Sequence, residues 1–178
     1  MQKHTFLAFD LGATSGRSIV GTFENGKMEM EELTRFPNGP IQVGNHFHWN
    51  IFGLLENLKD GLRACKKQGI TPNSIGIDTW GVDFGLLDKQ GTLISIPYAY
   101  RDPYTNGMSE KFFEKLSRQK VYEYTGIQVM NFNSVYQLFA MKQAGSPLLE
   151  IADSMLFIPD LLTYFLAGEK RSEFTFAT

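Results

Sequence analysis

Apolar runs and short polar turns alternate over the first third of the chain. Two apolar runs, Thr5–Phe9 and Ser18–Phe23, enclose a polar turn, and Met28–Phe36 then alternates acidic with apolar residues. The dipeptide Asn25-Gly26 between such runs is the strongest short signal for a hairpin. This pattern predicts three antiparallel strands joined by two tight turns.

The periodicity then changes from strand-like to helical. Apolar residues recur at intervals of three and four, which predicts an amphipathic helix from Asn50 to Gln68, with Asn50 as its N-cap and Gly69 just beyond its end. The predicted core-facing stripe of this helix consists of Ile51, Leu54, Leu55, Leu58 and Leu62.

The remainder of the chain mixes strand and helix patterns. The stretch "SIGIDTWGVDFGLLD" predicts a buried strand, an interruption at Thr79-Trp80-Gly81 and a further apolar run, which "DKQGTLISI" closes as a hairpin. Shorter helical patterns follow at Ser109–Leu116, Val121–Thr125, Ser134–Gln143 and Asp160–Leu166. The mixture indicates the α/β class. We predict the ribonuclease H-like, or actin-like, ATPase fold, because its elements follow the same order: three antiparallel strands, a helix, a parallel return strand and more helices.

Composition and charge narrow the functional classes. The chain has 178 residues, of which 43% are hydrophobic and 20% charged, as in ordinary globular domains. Its net charge of −2 provides no basic field for nucleic acid or an anionic membrane, so neither partner is expected. The single cysteine, Cys65, cannot form a disulfide within the chain, and its helical setting favours packing over reactivity. No apolar stretch reaches the roughly 18 residues needed to span a bilayer, and we predict a cytoplasmic protein.

The turn "DLGATSGR" between the first two predicted strands has a composition that suits phosphate binding. Dinucleotide-binding and P-loop glycine motifs lead into a helix, whose amino terminus supplies the anion site, whereas this turn leads into a strand. Consecutive backbone N–H groups and hydroxyls in such a turn can still bind phosphate. Arg17 supports this interpretation, because a plain turn needs no cation at that position.

Asp10, at the end of the first strand, has two interpretations. Its carboxylate could hold a magnesium ion or the water around it. Alternatively, it could accept the backbone N–H groups of Gly12 or Ala13 as an ordinary turn residue. The sequence alone leaves both open.

A second polar cluster lies in "DTWGVDF", where Asp78, Trp80 and Asp83 fall within six residues. Sugar sites combine aromatic faces with carboxylates that accept hydroxyl hydrogens, and Gly81 would let a ligand approach the backbone. The alternative is a strand edge with a core tryptophan and solvated aspartates.

Three further features could bind a ligand. Arg101 and Asp102 could bind substrate hydroxyls or pair with other charges, and Gln137 is the one polar side chain of its apolar helix that could face a ligand. His46 and His48 point the same way if they lie on a strand, but no third metal ligand stands at a supporting spacing.

Taken in order, "FDLGATSGR", "SIGIDTWGVDFGLLDKQG", "YRDP" and "GIQVMNFNSVYQL" resemble the amino-terminal part of the FGGY family of sugar kinases, in particular its members that phosphorylate L-rhamnulose. The resemblance runs from Phe6 to Thr178, and "DTWGVDF" is its most particular element. The family fold is two actin-like domains with the active site in the cleft between them. Residues 1–178 are therefore expected to form an incomplete amino-terminal sugar-binding domain, without the carboxy-terminal ATPase domain.

The resemblance implies that the γ-phosphoryl group of ATP is transferred, with Mg²⁺, to a primary hydroxyl of L-rhamnulose, giving L-rhamnulose 1-phosphate. It implies that Asp10 lies near magnesium and that Gly81 contacts the sugar, with Trp80 and Asp83 beside it. It assigns the ATP phosphates to Ala13, Thr14, Ser15, Gly16 and Arg17.

The catalytic base implied by the resemblance is an aspartate in an "HDTA"-like motif, which does not occur in these 178 residues. We expect that base beyond Thr178, and therefore expect the chain to be a fragment with no useful kinase activity alone. Alternatives are another kinase of the family, such as an L-fuculokinase, a non-catalytic actin-like sugar-binding module, or a structural domain without a ligand. The oligomeric state is not predicted.

Overall fold

The computed structural model describes residues 3–177, so Met1, Gln2 and Thr178, which belong to the predicted domain, lie outside the described residues. The strands are β1 (His4–Leu11), β2 (Ser15–Glu24), β3 (Lys27–Pro37), β4 (Pro40–Val43), β5 (His46–Trp49), β6 (Ser74–Thr79), β7 (Phe84–Leu87) and β8 (Ser154–Phe157). The α-helices are α1 (Ile51–Lys67), α2 (Met108–Phe113), α3 (Arg118–Thr125), α4 (Ser134–Gln143), α5 (Leu148–Ile151) and α6 (Ile158–Ala167).

A four-stranded mixed sheet of order β3-β2-β1-β6 organises the fold. β2 is antiparallel to both β1 and β3, whereas β6 returns parallel to β1. The β2–β3 turn has both central residues left-handed, Asn25 at φ 50° and Gly26 at φ 77°, as a type I′ hairpin requires. The three antiparallel strands and the parallel return strand predicted from the sequence are confirmed.

Helix α1 covers one face of this sheet. The Asn50 side chain accepts a hydrogen bond from Gly53 N, and Gly69 follows the helix at φ 70°, as expected from the sequence. Gly61 lets the helix approach the sheet closely, since a methyl group there would lie 2.6 Å from the Phe9 ring. The fully buried core shared by the sheet and its helices includes Leu7, Phe9, Leu11, Ile51, Leu58, Leu87, Ile158, Leu161 and Leu162.

β7 does not pair as the sequence predicted. The turn after it forms, with the Asp88 carboxylate accepting two backbone N–H groups. The returning segment makes a short hairpin contact, with a bridge from Leu87 to Leu93 and two backbone hydrogen bonds of 3.0 Å, from Asp88 N to Thr92 O and from Ile94 N to Leu86 O. The four-residue antiparallel ladder of β7, however, is made with β8. All four β7 residues are buried, so this strand needs a partner inside the fold rather than a surface hairpin arm.

The four shorter predicted helices all occur. Helix α4 has the predicted bounds, and α2, α3 and α6 have small shifts in theirs. The β4–β5 hairpin, β8 and the single turn α5 were not predicted, because each has only four residues and too short a pattern to read. Within residues 3–177, no helix combines the length and apolarity that crossing a membrane requires.

Candidate functional site

Two loops meet at one edge of the central sheet. The strands β1 and β6 pair in parallel, with Asp10 opposite Asp78 and Leu11 opposite Thr79, so both strands end at the same level. The glycine turn (residues 12–14) follows β1, and the 80–83 loop follows β6. Carboxyl ends of parallel strands are the usual ligand edge of α/β sheets. The two motifs singled out in the sequence are therefore neighbours in the fold.

The glycine turn is braced by backbone contacts and by one side chain. Gly12 N donates to Ser15 O at 2.8 Å, while Asn38 donates from its side chain to Gly12 O (2.7 Å) and from its backbone to Thr14 O (3.0 Å). Among residues 3–177, the backbone N–H groups of Ala13 and Thr14 and the hydroxyls of Thr14 and Ser15 have no hydrogen-bond partner. The turn thus offers a set of free donors on a fixed backbone, which fits an anion such as phosphate.

Gly16 has a packing role of its own. It is buried in β2, and a methyl group at this position would overlap the ring of Phe36 in β3. A glycine is therefore required there whether or not a nucleotide binds.

Asp10 and Arg17 form an ion pair across β1 and β2. The guanidinium Nε and NH2 atoms lie 2.9 and 2.7 Å from the same carboxylate oxygen, Oδ2, and Glu32 lies 3.9 Å from Arg17. The two residues are direct cross-strand partners, so Arg17 has a structural explanation as well as the phosphate predicted for it. In the described part of the chain nothing donates to Asp10 Oδ1, and Gly12 N is taken by Ser15 rather than by Asp10. Gly12 N therefore does not donate to Asp10, and the side chain of Asp10, 45% exposed, has one oxygen without a donor among the described residues.

The 80–83 loop is held by a buried carboxylate. Asp83 has no exposed surface, and it accepts hydrogen bonds from Trp49 Nε1 (2.6 Å), Trp80 Nε1 (3.0 Å) and Tyr100 N (3.1 Å) on Oδ2 and from Gln137 Nε2 (2.9 Å) on Oδ1. We call these five residues the Asp83 network. Burial raises the pKa of the Asp83 carboxyl above its ordinary value, and the hydrogen bonds act in the opposite direction.

Gln137 is likewise committed to the protein. It is 2% exposed, its Oε1 accepts from Tyr104 OH at 2.6 Å, and its Nε2 also donates to Phe132 O at 2.9 Å. The predictions that Asp83 and Gln137 contact a ligand are corrected by this geometry: burial removes both from any surface, and they support the loop instead.

The loop presents its backbone to solvent. Gly81 is exposed, and nothing lies within 4 Å of where its Cβ would be. Val82 has φ 70°, and Asp83 N donates to Gly81 O at 3.0 Å across it, which is the rare strained form of γ-turn. Ser134 Oγ donates to Val82 O at 2.6 Å. Trp80, the residue before this glycine, is half-buried, and the centre of its ring lies 3.9 Å from that of Trp49.

Arg101 and Asp102 separate into an exposed and a buried residue. The Arg101 guanidinium lies 5.6 Å from the centre of the Tyr100 ring, and its Nε donates to Tyr100 OH at 3.3 Å. Arg101 is exposed, so its remaining N–H groups can reach a ligand. The Asp102 carboxylate is buried and accepts the backbone N–H groups of Phe47 (2.6 Å) and Tyr104 (2.9 Å). Asp102 therefore binds groups of the protein itself, which was the alternative to binding substrate hydroxyls.

His46 and His48 also have protein partners. Their Nδ1 atoms lie 3.1 Å from Asp102 Oδ1 and from Ile96 O, respectively. Over residues 3–177, no group of three or more His, Cys, Asp or Glu side chains could hold a metal ion. A histidine metal centre therefore has no support in the described part of the fold.

Comparison with known proteins gives a family match along almost the whole chain. The model of the "FGGY family of carbohydrate kinases, N-terminal domain" matches residues 5–178. The chain is 52% identical over 176 residues to a rhamnulokinase of Bacteroides thetaiotaomicron, and 44% identical over 172 residues to one of Oceanobacillus iheyensis. These alignments cover 99% and 97% of this chain, but only 36% and 37% of the length of the two relatives.

Solved structures agree on the fold. A gluconate kinase of Lactobacillus acidophilus matches with a TM-score of 0.83 at 15% identity, over 99% of this chain and 36% of that one. A xylulose kinase of the same species matches with a TM-score of 0.82 at 15% identity, over 98% and 35%. These likenesses confirm the actin-like α/β fold predicted from the order of elements.

Proposed function

Because the chain belongs to the FGGY family of carbohydrate kinases, we propose that it is the sugar-binding, amino-terminal domain of an ATP-dependent kinase for L-rhamnulose. The product is L-rhamnulose 1-phosphate, in the breakdown of L-rhamnose. The two rhamnulokinases at 52% and 44% identity support this choice of ketose. The solved gluconate and xylulose kinases, at 15% identity, support only the fold.

The observation that carries the proposal is the pairing of Asp10 with Asp78 on adjacent parallel strands. It sets the glycine turn, which has free hydrogen-bond donors, next to the 80–83 loop, in which Gly81 is exposed. Phosphoryl transfer depends mainly on positioning and charge neutralisation. A sheet edge that brings these two sites together meets the first requirement.

On the nucleotide side, the free N–H groups of Ala13 and Thr14 and the hydroxyls of Thr14 and Ser15 would hold phosphate oxygens. ATP supplies the phosphoryl group when bound. The open Oδ1 of Asp10 suits Mg²⁺ or a water bound to it, while Oδ2 stays paired with Arg17. Arg17 lies close enough to the turn to add positive charge without leaving that pair.

On the sugar side, Gly81 offers backbone groups and Trp80 offers an apolar face for the C–H surface of a ketose. Arg101 is the exposed cation that can donate to sugar hydroxyls. The chain contains no "HDTA"-like motif, and we assign no catalytic base within its 178 residues. We also propose a cytoplasmic location, consistent with a single, buried and unpaired cysteine.

The first test is calorimetric titration of the chain with L-rhamnulose, with L-fuculose as the matched control. Saturable binding of L-rhamnulose alone supports the proposal, and preferential binding of L-fuculose contradicts it. Because a second domain could complete the pocket, the polypeptide encoded by the complete reading frame is titrated in parallel and assayed for ATP-dependent phosphorylation. Absence of ketose phosphorylation by that polypeptide would refute the proposed function.

A further inference from the structure

The Asp83 carboxylate is an unusual group to place under a loop. Both tryptophans of the chain, Trp49 and Trp80, donate their indole N–H to one of its oxygens. An ionised carboxylate with no exposed surface is unfavourable unless donors surround it, and an apolar residue would fill the same space without that requirement. The carboxylate therefore specifies an orientation of its donors that an apolar residue could not.

The backbone next to Asp83 is strained. Val82 is β-branched and left-handed, a conformation that persists only where surrounding contacts enforce it. The main enforcing contact comes from α4, where Ser134 Oγ donates to Val82 O at 2.6 Å. Gln137 Nε2 lies 3.3 Å from the same oxygen and shares its two hydrogens among Val82 O, Asp83 Oδ1 and Phe132 O. Gln137 is thus shared between the strained turn and the Asp83 carboxylate.

We propose that Asp83 is a positioning residue for the ketose: its carboxylate fixes the Trp80 indole, next to Gly81 in the chain, in the arrangement that the sugar meets. The inference rests on the proposed function, because Trp80 and Gly81 are the proposed sugar contacts. Asp83 itself touches no substrate, since it is fully buried.

The geometry distinguishes a carboxylate from an amide at position 83. Asparagine would keep one acceptor and turn two donors toward its neighbours, one of them facing Gln137 Nε2. Gln137 cannot reverse its amide to compensate, because its Oε1 accepts from Tyr104 OH and its Nε2 donates to Phe132 O. Asp83→Asn should therefore loosen the loop while leaving its volume unchanged.

The test is a double-mutant cycle in the polypeptide encoded by the complete reading frame, with Asp83→Asn, Trp80→Phe and the double variant. Since Asp83 acts through the indole N–H, we expect each single variant to raise the KM for L-rhamnulose about tenfold, with kcat lowered less than about threefold. The double variant should have no higher KM than the worse single variant.

The matched control is Leu58→Ala, a fully buried position in α1 that lies outside the Asp83 network. It should lower the melting temperature and leave KM within about twofold of the original. If Asp83→Asn lowers the melting temperature but also leaves KM within that range, or if the effects of the two single variants multiply, the positioning role is wrong.

The indole N–H resonances provide a readout that needs no sugar. The two tryptophans give two such signals in the 178-residue chain, and Asp83→Asn should accelerate the solvent exchange of the Trp80 signal about tenfold or more relative to the original chain. An unchanged exchange rate would refute the hold on Trp80. If the original protein phosphorylates no ketose, the proposed function fails, while the exchange rates still decide whether Asp83 positions the indole.

Discussion

The glycine turn and the 80–83 loop end neighbouring strands, yet they are held by opposite means. The turn is fixed by backbone hydrogen bonds and Asn38, and its remaining donors face solvent. The loop is fixed by a buried side chain, Asp83, whose own oxygens are all committed. A ligand-like residue type therefore does not by itself identify a ligand contact. In the turn the free donors belong to the backbone and to two hydroxyls, whereas in the loop the charged group is internal support.

The largest expected effect comes from removing that internal support. Asp83→Leu leaves donors from both indoles, Gln137 and Tyr100 without an acceptor, so the free energy of unfolding should fall by about 3–5 kcal/mol. Urea unfolding of the chain measures it. Asp88→Leu is the matched control, because Asp88 accepts two backbone N–H groups at a partly exposed turn and should cost about 1 kcal/mol. Equal losses in the two variants would contradict the assigned role of Asp83.

A smaller loss is expected where the turn enters β2. Gly16→Ala would press a methyl group against the Phe36 ring, and we expect about 1–3 kcal/mol of destabilisation in the same unfolding experiment. Gly39→Ala, at a position with open space, should change stability by less than about 0.5 kcal/mol. If Gly16→Ala were equally harmless, the packing role assigned to Gly16 would be wrong.

Local signals explain why most of the fold could be predicted. Asn25-Gly26 specifies its hairpin from two residues, and Asn50 caps α1 by bonding three residues ahead, so neither depends on distant parts of the chain. The pairing of β7 with β8 is different, because Phe84 and Phe157 meet only after the intervening helices are placed. Such a ladder leaves no local pattern that distinguishes it from a hairpin.

The same distinction applies to the site. Gly81 and the donors of the glycine turn follow from short motifs, whereas two of the four partners of Asp83 lie 34 residues away at Trp49 and 54 residues away at Gln137. The burial of Asp83 therefore could not be predicted. The Asp10–Arg17 ion pair could have been predicted, because a tight hairpin between β1 and β2 makes these two residues cross-strand partners.

Asp10, which lies just before the glycine turn, tests the role of this region in binding Mg²⁺. Asp10→Asn breaks an ion pair whose side chains are 41% and 45% exposed, so stability should change by less than about 1 kcal/mol. The expected effect is on Mg²⁺: in the polypeptide encoded by the complete reading frame, half-maximal phosphorylation should need about tenfold more Mg²⁺, with the KM for ketose unchanged. Glu32→Gln, which also removes a carboxylate near Arg17, serves as the control and should leave the Mg²⁺ requirement as it was. A normal Mg²⁺ dependence in Asp10→Asn would leave Asp10 as a partner of Arg17 only.

The smallest effect on the stability of the fold is expected at Gly81, the exposed glycine of the 80–83 loop. No atom lies within 4 Å of the added Cβ position, so Gly81→Val should change the free energy of unfolding by less than about 0.5 kcal/mol. If the sugar approaches this backbone, the same side chain occupies its place, and the affinity for L-rhamnulose should fall by more than about tenfold. Gly81→Ala should give an intermediate loss, because its methyl group fills less of that space. Calorimetry and urea unfolding of the same preparations separate the two effects, and normal sugar affinity in a folded Gly81→Val protein would move the pocket away from the 80–83 loop.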